Sequence, residues 1–269
     1  MARTNNETFS NPSIKKLNSF SQSVFGVDSA AGYKGIAAKT IYFVVLFALG
    51  MGAYFYMHSY FAANYYTVSG AGIFANEQTI YAGALVITLI AGLIASFVPS
   101  SVPITGSIYS AGMGYSVTFL SMIYARAYKG IVFEAISLTL LVILVMAGLY
   151  ASGKVKVTNK FRTVITTALL VSLMGSLIFW IIGLVAPHSA FYTAIVAINQ
   201  GPLGIVIALL GVVLAAAFLL SDFDTIQMTV ENGLDKKYEW FAAYGLIVGV
   251  IYLYLKVLRL LAIIMNNRD

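Results

Sequence analysis

The amino-acid sequence predicts an all-α membrane protein with seven transmembrane helices. Of its 269 residues, 60% are hydrophobic and 10% are charged, and the mean hydropathy is +0.87. Soluble domains carry about 25% charged residues, so this chain has too few charges to cover a water-facing surface. Long uncharged runs point the same way: residues 40–125 contain only one charged residue, Glu77, and residues 163–221 contain none. Because each membrane helix needs about 20 apolar residues, both intervals should hold several spans.

Seven segments have the length of a bilayer-spanning helix, and turn-forming residues separate them. Pro99 and Pro103 stand between the second and third segments, Gly153 follows the fourth, and Pro187 and Pro202 bound the stretch between the fifth and sixth. The predicted spans are residues 40–58, 80–98, 104–124, 130–151, 164–186, 203–222 and 240–265.

The chain is expected to divide into a polar basic cytoplasmic tail, residues 1–39, and a seven-helix transmembrane domain, residues 40–269. The tail lacks the early apolar run of a cleaved signal peptide. Basic residues also follow the fourth and sixth spans, whereas the opposite side holds only Arg126, Lys129 and Arg268. Because basic residues concentrate on the cytoplasmic side, we expect a multi-pass cell-membrane protein with its N-terminus cytoplasmic and its C-terminus outside.

No sequence motif supports catalysis or nucleic-acid binding. Walker, HExxH and GxSxG motifs are absent, and the chain has no Cys to ligate a metal or act as a nucleophile. The net charge of +6 is explained by the segments between the apolar runs. We therefore expect no enzyme activity, no cofactor and no nucleic-acid partner, although a hydrolytic site assembled from several helices stays open.

Ionisable residues in the last two spans are the main functional candidates. Asp222 and Asp224 end the sixth span, Glu239 opens the seventh, and Lys256 and Arg259 lie within it. A charge inside a membrane is costly and usually faces the bundle interior, water or a partner. Lys256 and Arg259 are three residues apart, so a helix places both cations on one face. The structural alternative is that the aspartates mark the cytoplasmic boundary while the two cations snorkel to the outer surface.

Glu134 is a further candidate, about one turn into the fourth span. Arg126 and Lys129 shortly precede it, which favours a charge pair at the membrane surface. A carboxylate at the mouth of a channel is the alternative.

A four-residue repeat of small side chains in the third span predicts close packing against another helix. Its members are Gly106, Ser110, Gly114 and Thr118. A pore lining is the alternative use of such a stripe.

Four segments resemble the Bax inhibitor-1 family, in its longer bacterial branch. They are SNP at residues 10–12, KGIAAKT at 34–40, SDFDTI at 221–226 and YLYLKVLRLL at 252–261. The resemblance implies a bundle in which six helices wrap a central C-terminal helix. It also implies a pH-sensitive calcium leak in which an acidic residue of the sixth helix pairs with one of the seventh.

One residue departs from this pattern: Asp222 matches the sixth-helix acid, but Lys256 stands where the second acid is expected. The resemblance then suggests Asp222 as the proton sensor, Asp224 as a secondary cation-attracting carboxylate, and Lys256 as a tethered counter-ion. Ca²⁺ and protons are the expected partners, with Asp222 and Asp224 as transient Ca²⁺ ligands. An ammonium stabilises an ionised carboxylate, so a switch built on Asp222 and Lys256 would respond at more acidic pH than a pair of carboxylates would. The Lys256 ammonium would also repel Ca²⁺.

Contact between Asp222 and Lys256 depends on the turn between the last two helices. A turn centred near Glu239 would bring the two residues level. A turn near Leu234 would instead place Asp222 opposite Leu246, with Lys256 nearly three helical turns further along.

A regulatory membrane protein without ion flux is the alternative function. It would present the N-terminal tail and the loop at residues 227–238 to a membrane partner such as a quality-control protease. A small-molecule transporter ranks last, because paired interrupted spans are missing.

Overall fold

The computed structural model describes residues 30–63, 77–153 and 157–268, and these residues form eight α-helices. In chain order they are α1 (Tyr33–Ala63), α2 (Glu77–Phe97), α3 (Val102–Ala127), α4 (Ile131–Ala151), α5 (Asn159–Val185), α6 (Ala190–Gln200), α7 (Pro202–Glu231) and α8 (Lys237–Asn266). A 3-10 turn, Pro99–Ser101, joins α2 to α3. Most of the predicted tail, residues 1–29, lies outside the described residues, and α1 begins at Tyr33 rather than at residue 40.

The all-α membrane class is confirmed, whereas the count of seven spans is not. Among the described residues, α1, α2, α4, α5, α7 and α8 are long and apolar enough to cross a membrane. Helix α3 has 26 residues, which is sufficient length, but its many glycine, serine and tyrosine residues make it less apolar. Helix α6 was not predicted, and its 11 residues are too few for a crossing.

Short-range sequence signals set several helix ends. The Thr158 side chain accepts a 3.2 Å hydrogen bond from the Phe161 N–H at the start of α5. Ser189 caps α6 in the same way. Such caps satisfy N–H groups that have no partner within the helix. Gly233 follows α7 with φ of +61°, a backbone conformation that glycine adopts without strain.

Helix α8 is the central helix, as predicted. Its first half packs with α1 and α3 around Phe43, Tyr109 and Tyr244. Its second half packs with α4 and α7 around Leu219 and Leu258. Half of its most apolar stretch is buried, the largest share among the candidate spans.

The small-residue stripe of α3 is a packing seam, as predicted. All four of its members are buried. Gly114 lies against the backbone of Phe47 on α1, and Gly50 of α1 lies against the Ala111 carbonyl. A side chain at either glycine would overlap the opposite backbone, so the glycines permit the close approach of α1 and α3.

Helix α5 lies at the periphery of the bundle and makes little contact with α8. Helix α5 packs mainly against α7 and α6, and none of its most apolar stretch is buried. Helix α6, which lies between α5 and α7 in the chain, packs against both of them.

The bundle has two chemically distinct ends. We call the end that holds Ala31 and the turn before α8 the tail end. There the Ala31 N–H donates a 2.6 Å hydrogen bond to the Leu234 carbonyl. At the far end, the Tyr128 hydroxyl donates to Asn266 at the close of α8, at 3.2 Å. Helices α1 and α8 therefore begin at the same end of the bundle.

Candidate functional site

Asp222 lies inside the bundle, at the contact between α7 and α8. Its exposed fraction is only 7%, and its Oδ2 atom has no hydrogen-bond partner among the described residues. Two glycines of α8 make room for the carboxylate: a methyl group at Gly249 would overlap Oδ2, and one at Gly245 would lie 3.4 Å from Oδ1. Asp222 is thus a carboxylate in a tight interface that lacks a compensating charge.

Asp222 and Lys256 are not paired, which is the outcome expected for a turn near Leu234. The turn between α7 and α8 covers residues 232–236, so Asp222 is level with Gly245 and Gly249. The aliphatic part of Lys256 lies beside Gly211 instead. Because Gly211 and Asp222 are separated by about 16 Å along α7, at 1.5 Å per residue, the counter-ion assignment for Lys256 is wrong.

Asp224 forms a salt bridge with Arg162 at the start of α5. The same guanidinium donates to the Met228 sulfur at 3.0 Å. Residues two apart on a helix point about 200° from each other, so Asp224 faces α5 whereas Asp222 faces α8. The two aspartates therefore do not face a common site, and their roles as transient Ca²⁺ ligands stay separate predictions.

Glu239 is buried at the tail end, where it joins α8 to the start of α1. It forms a salt bridge with Lys39 and accepts a 2.8 Å hydrogen bond from the Gly32 N–H. Its side chain also fills the space beside Gly35, and Lys39 lies 5.3 Å from the ring centroid of Trp240. We call these contacts of Gly32, Lys39 and Glu239 the tail clasp.

Comparison with known protein families gives a match that spans all eight helices. The family described as Bax inhibitor 1 like matches residues 4–266, nearly the whole chain. The chain belongs to this family. No curated protein and no solved structure gives a match of its own.

In this Bax inhibitor 1 like chain, Lys256 and Arg259 share one helical face, as predicted. Both line a cavity of about 600 Å³ bordered by α5, α6, α7 and α8. The Arg259 guanidinium donates a 2.8 Å hydrogen bond to Asn199 of α6, and the Lys256 ammonium lies 4.9 Å from the ring centroid of Tyr252. Arg259 therefore contacts a neighbouring helix instead of simply extending to the membrane surface.

Glu134 does not form the charge pair that the sequence suggested. It lies in the first turn of α4 with an exposed side chain. Salt bridges recorded for the described part of the chain do not include Glu134, Arg126 or Lys129. Gly130, with φ of +85°, lies at the chain reversal between α3 and α4.

Sequence reasoning missed the partners of the candidate residues. Lys39 was assigned to the tail and Arg162 to a cytoplasmic loop, yet both neutralise carboxylates. Asn199 belongs to a helix that was not predicted. Gly249 carried a usable signal, since Gly245 and Gly249 repeat at a four-residue spacing on the last span. Over the described ranges, no cluster of three or more His, Asp or Glu residues is positioned to hold a metal ion.

Proposed function

We propose that this membrane protein is a proton-sensitive cation leak, with Ca²⁺ as the expected ion and Asp222 as the sensor. The observation that carries the proposal is the partnerless carboxylate oxygen of Asp222 inside the α7–α8 interface. The excess of basic residues near the tail supports a cell-membrane location with the tail end cytoplasmic.

The position of Asp222 suggests how a proton could control the interface. An ionised carboxylate in a dry protein interior is costly unless water or a cation compensates its charge. The neutral acid suits close contact with Gly249, whereas the ionised form favours entry of water and a cation between α7 and α8. Acid should therefore close this path.

Other charges around the interface are already neutralised or distant. On α7, Asp224 pairs with Arg162 of α5. On α8, Glu239 pairs with Lys39 of α1, and Lys256 lies several turns from Asp222. Asp222 is thus the carboxylate whose charge a proton would change with the largest structural consequence.

Calcium flux into liposomes tests the proposal. Purified protein is reconstituted with an entrapped calcium indicator, and influx is measured between pH 5 and pH 8. Wild-type influx should fall as the pH falls. Asp222→Asn, an uncharged side chain of the same size, should hold influx at the low acid level across this range, and Asp235→Asn should behave as wild type. Flux no greater than in protein-free liposomes, or an unchanged pH profile in Asp222→Asn, would refute the proposal.

The tail clasp favours a second candidate function, that of a regulatory protein without ion flux. The backbone of Ala30 and Ala31 pairs with Leu234 and Asp235, so the base of the tail and the α7–α8 turn form one surface. Much of the loop named in the sequence prediction is helical, and only residues 232–236 lie between α7 and α8.

Site-specific crosslinking separates the two functions. A photoreactive side chain at Asn232 would crosslink a purified membrane quality-control protease if the tail end binds it, whereas one at Arg268 of the far end would not. Crosslinking at Asn232 without any calcium flux supports the regulatory function. Flux without crosslinking supports the leak.

A further inference from the structure

The cavity between α5, α6, α7 and α8 presents two cations and no anion. Lys256 and Arg259 line it together with Ser172, Ser176 and Asn199, and none of the described residues on its walls is acidic. Across the described segments, no carboxylate lies within salt-bridge distance of either cation. The cavity therefore carries an uncompensated positive charge.

Neutral contacts compensate this charge only in part. The Arg259 contact with Asn199 uses one of the five guanidinium N–H groups. The Lys256 ammonium lies over the Tyr252 ring, which attracts a cation but carries no charge. Several donors of both side chains are left for a ligand.

The two cations lie deep enough in the membrane that the lack of a counter-ion is energetically costly. The midpoint of α8 lies between residues 251 and 252, so Lys256 is about 7 Å and Arg259 about 11 Å from it along the helix axis. With α8 centred in the bilayer, both residues lie inside a hydrocarbon layer whose half-thickness is about 15 Å. Cations at this depth are normally paired or face water.

We propose that this cavity binds an oxyanion, a phosphate or carboxylate group, between Lys256 and Arg259. Guanidinium and ammonium groups form their strongest hydrogen bonds with such anions, and arginine matches their geometry with two parallel N–H donors. Apolar walls from Phe179, Ile207 and Leu210 would accept the hydrocarbon part of an amphiphile that carries the anion. The volume of about 600 Å³ lies within the range of small-molecule sites.

The oxyanion has two possible sources, and two binding measurements distinguish them. Full-length protein in nonionic detergent is titrated with phosphatidylglycerol, and with phosphatidylcholine of the same acyl chains, while bound lipid is counted by native mass spectrometry. Separately, sodium phosphate replaces sodium chloride at constant ionic strength, and the shift in melting temperature is recorded. Preference for phosphatidylglycerol indicates a lipid headgroup, and stabilisation by phosphate indicates a free anion.

Charge variants connect this binding to the cavity. The double variant Lys256→Gln, Arg259→Gln should weaken binding of the preferred anion about tenfold or more, since two charged hydrogen-bond donors are removed. Lys256→Arg keeps the charge and should bind nearly as wild type. Lys160→Gln is the matched control, because it removes an exposed cation at the other end of the bundle.

A cavity-filling variant keeps the test decisive if the double variant does not fold. Gly175 lines the cavity, and a methyl group there would meet no atom within 4 Å, so we expect Gly175→Leu to occupy cavity space without disturbing the fold. It should reduce anion binding like the charge variants. Equal binding of both lipids with no effect of phosphate would overturn the proposal, as would anion binding that survives in both the double variant and Gly175→Leu.

Discussion

The two ends of α8 handle charge in opposite ways. Near the tail end, Glu239 of α8 is buried and paired with Lys39, and Asp224 of the neighbouring α7 is paired with Arg162. Towards the far end, Lys256 and Arg259 face a cavity in which none of the described residues is acidic. Internal pairing fixes helices to each other, whereas an unpaired charge within the membrane requires water or a ligand from outside the chain. The tail end is therefore built as a structural junction and the far end as a binding surface.

Asp222 stands between these two ends and belongs to neither type. It is unpaired, like the two cations, but it faces a tight glycine-lined contact and not a cavity. The same helix thus presents a closed interface for an acid and an open one for cations.

Removal of Glu239 should give the largest loss of stability. Glu239→Gln leaves Lys39 without its counter-ion at a site where the two side chains are 18% and 5% exposed. We expect the free energy of unfolding to fall by about 3 kcal/mol, the scale of a broken buried ion pair. Denaturation in detergent measures this loss. Glu134→Gln, at an exposed position, is the control and should change stability by less than about 0.5 kcal/mol. Equal effects of the two variants would contradict the tail clasp.

Enlargement of Gly249 should give the next largest effect. Gly249→Ala forces the Asp222 carboxylate out of its position, which should lower stability by about 2 kcal/mol. Gly245→Ala is the matched control on the same helix, because its methyl group would meet Asp222 at an ordinary contact distance of 3.4 Å. It should be neutral or slightly stabilising. Combining Asp222→Ala with Gly249→Ala should recover much of the stability that Gly249→Ala loses. If it does not, the Asp222 carboxylate does not lie against Gly249.

Breaking the pair between Arg162 and Asp224 should have a smaller effect. Both side chains retain some exposure, 27% and 18%, so water compensates part of the lost contact. We expect Asp224→Asn to lower stability by about 1 kcal/mol. The comparison is Asp235→Asn, whose partner Lys237 is 51% exposed at 3.5 Å and should contribute less than about 0.5 kcal/mol. Thermal unfolding that ranks Asp235 above Asp224 would reverse this assignment.

Replacement of Lys256 should give the smallest change in the free energy of unfolding. In detergent without anionic lipid, Lys256→Met removes a cation that has no counter-ion among the described residues, and it keeps the aliphatic packing beside Gly211. Stability should stay within about 0.5 kcal/mol of wild type or rise. A loss as large as that of Glu239→Gln would show that Lys256 has a partner within the protein. This outcome would remove the contrast between the two ends.

The sequence predicted the fold class and the small-residue seam well, because both depend on local composition and spacing. Gly106 and Gly114 indicated close packing before any partner helix was known, and Gly114 indeed lies against α1. Lys256 and Arg259 were placed on one face by their spacing alone, which the shared cavity confirms. The resemblance to the family added the central position of α8.

Charge partners could not be predicted in the same way. Lys39 and Glu239 are 200 residues apart in sequence, and only the parallel packing of α1 and α8 brings them together. Whether Asp222 and Lys256 touch depended on the register of two antiparallel helices, which the sequence left open. The turn at residues 232–236 sets that register.

The sequence by itself therefore determined that the chain is a helical membrane protein and which residues carry charge within its spans. Hydropathy and helical period are properties of single segments, so they can be read without neighbours. Tertiary structure alone decided which charges are neutralised, which face a cavity, and which lies in a closed interface. These outcomes depend on the relative positions of different helices, and a shift of a few residues along one helix would exchange one partner for another.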